Sequence, residues 1–272
     1  MGRLLFSPKM SSTIERVPKV KIYPDKFKGQ VAVITGAAQG LGEVTAHTFA
    51  AQGAIVVLVD IQKDKLEKVV DEIKSKGGQA AYRVVDVTEE SQINELIEDV
   101  IKTYGQIHIM VHLAGIYPTI PINETSTSDY RRIMATNMDA SFFLVKAVLP
   151  HMNERGYGRI ICTASGTLQN VLAHHSVYIA AKAAIAYFMR ATAMECTLGV
   201  TANTICPGLI ASAAVRAKYS GSSLFEDTIQ KQAVKRSGEP EDIAHTICFI
   251  ASPENAFTSG QIFDVGGGAT FH

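Results

Sequence analysis

The residues of this chain best suited to proton transfer are Tyr178 and Lys182, four positions apart, and Ser165, which precedes them. On a helix, residues at positions i and i+4 are neighbours on one face. Free tyrosine has a pKa of about 10, so it exchanges protons poorly at neutral pH unless a neighbouring charge favours the phenolate. Lowering that pKa by about 3 units corresponds to about 4 kcal/mol. The spacing therefore indicates a tyrosine activated by a lysine, with a serine that holds the reacting oxygen.

The same spacing also occurs in helices that have no catalytic role. A tyrosine in the core and a lysine in solvent explain an isolated Tyr-x-x-x-Lys motif more simply. A catalytic interpretation therefore requires a cofactor site elsewhere in the chain, at a matching place in the fold.

A glycine-rich segment near the N-terminus predicts where a dinucleotide would bind. The apolar residues 31–34 (VAVI) lead into residues 35–42 (TGAAQGLG), which open a helical pattern. In such a strand–turn–helix unit, Gly36 allows the tight turn, Gly40 lets the backbone approach a pyrophosphate, and Gly42 lets the helix pack on the strand. The helix N-terminus adds partial positive charge. A purely structural turn is the alternative for this motif by itself.

Asp60 indicates which dinucleotide this is. It ends a second apolar run, residues 54–59, and is followed by Ile61 and Gln62 rather than by an arginine. A carboxylate at this place can accept hydrogen bonds from both ribose hydroxyls of an adenosine, and it repels a 2′-phosphate. The pattern predicts NAD rather than NADP, with an ordinary acidic strand end as the alternative.

The rest of the chain alternates between strand and helix patterns. The predicted helices are residues 63–76, 89–104 (with Thr88 as the cap), 130–150 and 176–198, and the predicted further strands are residues 80–85, 107–113, 158–164, 201–205 and 261–265. This alternation predicts an α/β protein with one Rossmann-like, doubly wound parallel sheet of about seven strands flanked by helices, as a single catalytic domain over residues 29–272. Residues 1–28 contain three prolines and several lysines, and we expect a partly disordered surface arm there.

The amino-acid composition limits the kinds of molecule that this protein is expected to bind. The 272-residue chain is 47% hydrophobic and 19% charged, with a formal net charge of zero. These values fit a globular protein with a large core, and they give no sign of nucleic-acid or membrane binding. The cysteines are dispersed without metal-ligand spacing, so no metal site is predicted and buried free thiols in the cytoplasm are expected. They are Cys162, Cys196, Cys206 and Cys248.

Further polar residues fall at strand ends or inside a helix. Asp86 and Val87 follow a strand, where ligands collect in parallel sheets, so Asp86 is a candidate for the adenine edge, although a loop-stabilising aspartate explains it equally well. Asn137 lies among apolar residues, where an amide must find partners. It is either a structural bridge or a relay that holds water near the lysine, and both can be true.

Together these motifs resemble the short-chain dehydrogenase/reductase family, in its NAD-dependent form that acts on secondary alcohols, over residues 29 to about 268. The resemblance implies that Tyr178 is the general acid/base, that Lys182 lowers its pKa and binds the nicotinamide ribose, and that Ser165 orients the substrate oxygen. It implies a water-holding role for Asn137. The cofactor-binding residues that it implies are Gly36, Gln39, Gly40, Leu41, Gly42, Asp60, Ile61, Asp86, Val87, Ala114, Gly115, Tyr178, Lys182, Pro207, Gly208, Ile210 and Ser212.

The chain departs from the family at His112 and Leu113, where the family usually has two asparagines. Leu113 cannot make the hydrogen bond that normally ties the central strands together, so a local contact must be lost or rearranged. For His112, a structural partner is favoured over a role as a ligand.

The substrate pocket is expected between residues 116–121, residues 166–175 and a lid at residues 211–234. Its candidate lining residues are Tyr117, Gly166, Leu168 and His175, and Lys218 on the lid is expected to face solvent. Few charges lie in these segments, which favours a medium-sized, mostly apolar secondary alcohol and its ketone. A sugar or polyol dehydrogenase, a 3-oxoacyl thioester reductase and a non-catalytic NAD-binding sensor are the alternatives. The family commonly forms tetramers, so a homotetramer or homodimer is expected.

Overall fold

The computed structural model describes residues 23–271 and contains one seven-stranded parallel sheet with the strand order β3-β2-β1-β4-β5-β6-β7. The strands are β1 Val31–Thr35, β2 Ile55–Asp60, β3 Gln79–Val84, β4 Ile109–His112, β5 Gly158–Thr163, β6 Val200–Pro207 and β7 Ile262–Val265. The helices are α1 Gly40–Ala51, α2 Lys63–Ser75, α3 Glu90–Tyr104, α4 Thr127–Met134, α5 Ala140–Arg155, α6 Ser176–Ala193, α7 Ala213–Lys218, α8 Leu224–Lys231 and α9 Pro240–Ile250. The predicted doubly wound sheet is confirmed.

Successive strand residues point into two different cores, which explains why the strands are continuously apolar. Ile34 and Leu58 belong to the core under α1, α2 and α9, whereas Val33 and Val57 belong to the core under α3, α5 and α6. Residues two apart in a strand share a face, and parallel sheets covered on both sides bury both faces.

The strand order reverses next to β1, and this places the functional end of the sheet. β1 pairs with β2 on one side and with β4 on the other, so the connections leave on opposite faces of the sheet. In open parallel sheets such a switch point leaves a crevice at the carboxyl ends of the strands, where ligands bind. Thr35, Asp60, His112 and Thr163 all end strands at this edge.

The predicted N-terminal arm needs correction at its C-terminal end. Phe27 is completely buried and its ring lies 4.8 Å from that of Phe49 on α1, so the segment from Tyr23 onward packs on the body. Residues 1–22 of the predicted arm lie outside the described residues.

Three predicted helices also differ from the observed ones. The helix predicted at residues 130–150 begins at Thr127, and a π-helical turn, Ala135–Asp139, separates α4 from α5. Thr88 does not cap α3, because its hydroxyl donates to Asp86 Oδ1 (2.7 Å) instead. The helix predicted to reach residue 198 ends at Ala193.

Three of the four free cysteines are buried as expected, while Cys196 is half-buried. Among residues 23–271, no helix combines the length and the apolarity that a membrane span requires.

Candidate active site

Tyr178 and Lys182 lie one turn apart on α6, and Ser165 lies just after β5 as the N-cap of a short 3-10 turn, Gly166–Leu168. Ser165 lies close to the Tyr178 side chain, and hydrogen bonding from this serine lowers the pKa of the tyrosine. The ammonium of Lys182 lies 5.8 Å from the centre of the Tyr178 ring. The fold therefore brings the three residues singled out by spacing to one place at the carboxyl edge of the sheet.

The protonation of Tyr178 differs from the expectation drawn from spacing. Burial raises the pKa of Tyr178, and the hydrogen bond from Ser165 only partly opposes this effect. Lys182 is not among the groups that shift the pKa of Tyr178; its Nζ donates to the Thr163 carbonyl (2.8 Å) and lies 5.8 Å from the centre of the tyrosine ring. Ser165 is thus the side chain that favours the phenolate here.

Lys182 is itself 4% exposed, and burial lowers its pKa to about 8. The nearby thiols of Cys162 and Cys206 oppose this lowering. Because about 8 is still above neutral pH, the ammonium retains its charge there.

Asn137 lies in the π-helical turn and is completely buried. Its amide nitrogen donates to the carbonyls of Ile133 (2.9 Å) and Ile116 (3.0 Å), which uses both hydrogens. Its Oδ1 atom has no hydrogen-bond partner among the described residues. A Cβ atom on Gly115 would lie 2.7 Å from this oxygen and 3.4 Å from Lys182 Nζ. Asn137 is therefore a structural bridge that also presents an unused acceptor beside the lysine.

His112 and Thr35 show how the family's missing asparagine contact is rearranged. Thr35 Oγ1 accepts hydrogen bonds from the backbone N–H groups of Leu113 (3.2 Å) and Ala114 (3.3 Å). The same oxygen lies 2.7 Å from His112 Nδ1. Thr35 thus ties β1 to β4, and His112 has the structural partner that we expected. Burial, together with the charge of Lys182, lowers the pKa of His112 to about 3.

The glycine loop has the shape that a dinucleotide needs. Gly36 has a φ of 68°, and a Cβ there would lie 2.7 Å from the backbone nitrogen of Ala114. Gly40 has a φ of 60° and faces open space, with Ser212 Cβ as the nearest atom at 3.8 Å. Gln39 lies between these two glycines, and its Oε1 accepts a hydrogen bond from Lys65 Nζ (2.6 Å). The loop therefore leaves room above its backbone at the start of α1, where Leu41 and Gly42 continue the helix.

Asp60 is held at the edge of this loop by backbone groups. Its carboxylate accepts hydrogen bonds from the N–H groups of Ala38 (3.3 Å) and Gln62 (3.1 Å), while Ile61 is 65% exposed. Asp86 is held differently: its Oδ1 accepts from the N–H (2.9 Å) and the hydroxyl (2.7 Å) of Thr88. These contacts make Asp86 a loop-stabilising residue, and Val87 beside it is buried.

The segment after β6 closes the other side of the crevice. The Gly208 N–H donates to Val265 (3.1 Å), Ile210 pairs with Gly238, and Ser212 caps α7 by accepting from the Val215 N–H (3.4 Å). Pro207 is the last residue of β6, and its carbonyl would lie 3.1 Å from a Cβ on Gly166. The residues after β6 that were predicted to bind the cofactor thus lie next to the 3-10 turn that follows Ser165.

The walls beside Tyr178 come from two loops joined to each other. The Ile120 N–H donates to the His174 carbonyl (2.8 Å), and Thr119 Oγ1 lies 3.2 Å from His175 Nε2. His175 Nδ1 lies 2.8 Å from the Ala173 carbonyl, which can only accept, so Nδ1 donates this hydrogen bond. The His175 ring packs edge-on against the Tyr178 ring, 6.3 Å between centres.

Lys218 is exposed, as expected, and its ammonium lies 4.9 Å from the centre of the Tyr117 ring. Thr119 was not predicted, because nothing in residues 116–121 marks one side chain as the partner of a distant histidine. Leu168 ends the 3-10 turn that follows Ser165.

A separate group of potential metal ligands lies outside this site. Glu43, His47 and Glu72 place their ligand atoms within 4.8 Å of one another, between α1 and α2. His47 Nε2 lies 3.4 Å from Glu72, which also pairs with Lys68, and burial lowers the pKa of His47. These contacts are those of an ion-pair network, and the distance of Glu72 along the chain hid the group from sequence analysis.

Known proteins share this arrangement over nearly the whole chain. A family model described as enoyl-(acyl carrier protein) reductase matches residues 36–270. The 7alpha-hydroxysteroid dehydrogenase of Escherichia coli K12 is 34% identical over 89% of this chain and 95% of its own. The cyclohexanol dehydrogenase of an Acinetobacter species is 32% identical over 92% of this chain and 98% of its own.

Solved structures agree with the sequence relatives. A 7alpha-hydroxysteroid dehydrogenase complexed with NADH and 7-oxo glycochenodeoxycholic acid superposes with a TM-score of 0.85 at 34% identity, over 90% of this chain and 96% of that one. A putative gluconate dehydrogenase from Agrobacterium tumefaciens gives a TM-score of 0.86 at 29% identity, over 92% and 98%.

The doubly wound sheet, the glycine loop and the matching relatives define an oxidoreductase that uses a nicotinamide cofactor. The chain belongs to the short-chain dehydrogenase/reductase family, whose members here interconvert secondary alcohols and ketones.

Proposed function

We propose that this protein is an NAD(H)-dependent dehydrogenase that interconverts a medium-sized, mostly apolar secondary alcohol and its ketone, with Tyr178 as the general acid/base. The observation that carries the proposal is the meeting of Tyr178, Lys182 and Ser165 at the carboxyl edge of the sheet: the Lys182 ammonium lies 5.8 Å from the centre of the Tyr178 ring, and Ser165 lowers the pKa of the tyrosine. Ser165 follows β5, whereas Tyr178 and Lys182 lie on successive turns of α6, and the three residues meet beside the glycine loop.

The residues support a simple division of labour. When bound, the cofactor supplies the hydride acceptor or donor. During oxidation, the Tyr178 oxygen takes the hydroxyl proton of the alcohol, and during reduction it returns a proton to the ketone oxygen. Ser165 holds the same substrate oxygen by hydrogen bonding. Lys182 and the free Oδ1 of Asn137 line the adjoining space over Gly115, where the nicotinamide ribose and a relay water would be held.

Asp60 supports NAD as the cofactor. Its carboxylate is fixed at the edge of the glycine loop by two backbone N–H groups, so it presents negative charge where a 2′-phosphate would lie. The solved 7alpha-hydroxysteroid dehydrogenase relative binds NADH, which agrees with this choice.

The pocket supports a mostly apolar substrate. The two loops joined beside Tyr178 carry Tyr117, Val171 and Leu172, whose apolar side chains are more than 40% exposed. Relatives named for cyclohexanol and hydroxysteroids act on substrates of this character.

Other substrates and roles remain as alternatives. The resemblance to a putative gluconate dehydrogenase keeps a sugar or polyol substrate as the second candidate. A 3-oxoacyl-[acyl-carrier-protein] reductase of Thermotoga maritima is 30% identical, but a thioester reductase that prefers NADP would be opposed by Asp60. A sensor that only binds NAD would not need the tyrosine, serine, lysine and asparagine together.

The test is a panel of secondary alcohols, polyols and acyl thioesters, assayed with NAD and NADP in parallel. We expect NADH formation from apolar alcohols such as cyclohexanol and 1-phenylethanol, and at least ~10-fold less activity with NADP. Activity confined to sugars or to acyl thioesters would overturn the substrate proposal, and equal use of NADP would overturn the cofactor proposal. Binding of NADH with no turnover of any alcohol would support the sensor.

The remaining proposals concern the setting of the enzyme. We place it in the cytoplasm, consistent with four free cysteines, and assign residues 211–234 as a lid over the pocket. We also propose a homotetramer or homodimer, because exposed apolar side chains such as Tyr187 and Phe271 would be covered by partner copies. Light scattering that gives the mass of one chain, 29.3 kDa, would contradict the assembly.

A further inference from the structure

Thr167 makes two contacts with Ser165 that the proposed roles of Tyr178, Ser165, Lys182 and Asn137 do not explain. Its backbone N–H lies 3.2 Å from Ser165 Oγ, and its hydroxyl donates to the same atom at 3.0 Å. Ser165 is 7% exposed, so solvent does not compete freely for these positions.

A serine hydroxyl has one proton to donate and two lone pairs that accept. Thr167 uses both lone pairs of Ser165, one through its backbone and one through its side chain. The Ser165 oxygen can therefore accept nothing more, and its own proton is free to be donated. Tyr178 is a polar neighbour that this proton can serve, since hydrogen bonding from Ser165 lowers the pKa of the tyrosine.

We propose that Thr167 is a positioning residue that makes Ser165 a hydrogen-bond donor toward Tyr178 and toward the substrate oxygen. This inference rests on the proposed function, since it assigns Thr167 a role in the same proton transfer. Proton transfer requires this direction of the hydrogen bond. A hydrogen bond donated by Ser165 stabilises the phenolate and a developing alkoxide, whereas a serine that accepts would stabilise the neutral phenol. The effect of Ser165 on Tyr178 has this sign, because its hydrogen bond lowers the pKa of the tyrosine against the raising effect of burial.

A purely structural role is the competing explanation, because a backbone N–H bonded to a serine oxygen also caps the 3-10 turn Gly166–Leu168. The two contacts can be separated by substitution. Thr167→Val keeps the backbone N–H, the cap and the shape of the side chain, and it removes only the donated hydroxyl. One lone pair of Ser165 then becomes open, and the hydroxyl of Tyr178 can donate into it.

The experiment is the pH dependence of kcat/KM for oxidation of an alcohol substrate found in the panel, measured for wild type, Thr167→Val and Thr167→Ser. Oxidation requires Tyr178 as a base, so the rate rises with pH as the tyrosine ionises. In Thr167→Val we expect this rise to move to higher pH by about half a unit or more. At pH values below the rise, kcat/KM should fall by about 3- to 10-fold, which is the size of effect expected for one lost hydrogen bond. Thr167→Ser keeps a hydroxyl and is expected to restore the wild-type profile.

Thr192→Val is the matched control. Thr192 lies on the same helix as Tyr178, and its buried hydroxyl donates to the Phe188 carbonyl (3.0 Å), away from Ser165. Its loss is expected to lower the melting temperature without moving the pH profile. NADH binding, followed by fluorescence, should be unchanged in both valine variants.

The outcomes separate this inference from the proposed function. If Thr167→Val has the wild-type profile while Tyr178→Phe is inactive, Thr167 is only a cap and the inference is wrong. If Tyr178→Phe keeps its turnover, the proposed function itself fails. Should Thr167→Val not fold, Thr167→Ala removes the same hydroxyl without adding an apolar branch, and the same shift is expected.

Discussion

The glycine loop and the walls of the candidate substrate pocket lie on the same edge of the sheet, yet they are held in place differently. Around the loop, the contacts are made mostly by backbone N–H groups and join residues of one βαβ unit, such as the Ala37 N–H to the Val59 carbonyl (3.2 Å) and the Ala38 N–H to Asp60. Around the pocket, residues 116–121 are joined to residues 173–175, and α7 approaches from a third segment through Lys218.

This difference has a functional consequence. A nucleotide offers the same phosphates and riboses to every enzyme that uses it, so a rigid backbone cradle serves it well. Substrates vary, and the pocket depends on side chains carried by separate loops. We therefore expect substitutions in the two regions to separate nucleotide binding from turnover, and the predictions below test that separation.

The largest effect is expected at the pocket side, from Tyr178→Phe. The variant lacks the hydroxyl that exchanges the proton, while its ring still packs against His175 and Lys182. We expect turnover to fall by at least about 1000-fold, with NADH affinity within about 3-fold of wild type. Steady-state assays and NADH fluorescence titration measure the two quantities.

Tyr187→Phe is the control for that variant. Tyr187 lies on the same helix with its side chain 67% exposed, and phenylalanine keeps the ring that we propose a partner copy covers, so this variant should retain wild-type turnover. If Tyr178→Phe lost NADH binding to the same degree as turnover, the two regions would not be separable.

The difference between the glycine loop and the pocket walls also explains which features can be predicted from the sequence. The glycine loop, Asp60 and the buried strands are visible because their roles depend on neighbouring residues: apolar runs of strand length, a glycine turn and an acidic strand end. The π-helical turn around Asn137 is not visible, because it depends on the Ile116 carbonyl, which belongs to another segment. Phe27 was assigned to the arm for the same reason, since its burial depends on Phe49. The pairing of Thr119 with His175 is likewise set by tertiary structure.

His112 lies on β4 between the two regions and makes stability depend on pH. The folded protein holds it neutral down to a pKa of about 3, whereas an unfolded chain protonates it near pH 6.5. The unfolded state therefore binds more protons between these values, and stability falls as pH is lowered through that window. In His112→Asn we expect the slope of unfolding free energy against pH to be smaller by up to about 1.4 kcal/mol per pH unit. Urea denaturation between pH 7 and pH 4.5 measures it.

His108→Asn is the comparison for that measurement. His108 is only partly buried, and burial lowers its pKa as well, so its removal should flatten the slope less. An unchanged slope in His112→Asn would show that this histidine is not kept neutral by the fold.

At the nucleotide side, Asp60→Ala tests whether the carboxylate selects the cofactor. Removing it takes away a charged acceptor for the ribose hydroxyls, so we expect kcat/KM for NAD to fall about 10- to 100-fold. The value for NADP should stay constant or rise, because the repulsion of a 2′-phosphate is gone. Asp64→Asn, an exposed aspartate on α2, should change neither value. Equal losses with both cofactors would mean that Asp60 only supports the loop.

The smallest effect is expected at His174, the non-glycine residue with a positive φ (64°) in the described part of the chain. A side chain in this conformation is strained, and glycine is not. We therefore expect His174→Gly to raise the unfolding free energy by about 0.5–1 kcal/mol, measured by urea denaturation.

The strain at His174 also distinguishes the two regions, because it turns the loop so that His175 meets Thr119 and the Tyr178 ring. Glycine leaves that turn less fixed, so KM for the alcohol should rise while NADH affinity stays constant. Ala173→Gly adds the same flexibility without relieving strain, and it should lower stability. If both glycine variants lowered stability equally, the positive φ would carry no strain. If His174→Gly left KM unchanged, the backbone at this residue would not position the pocket.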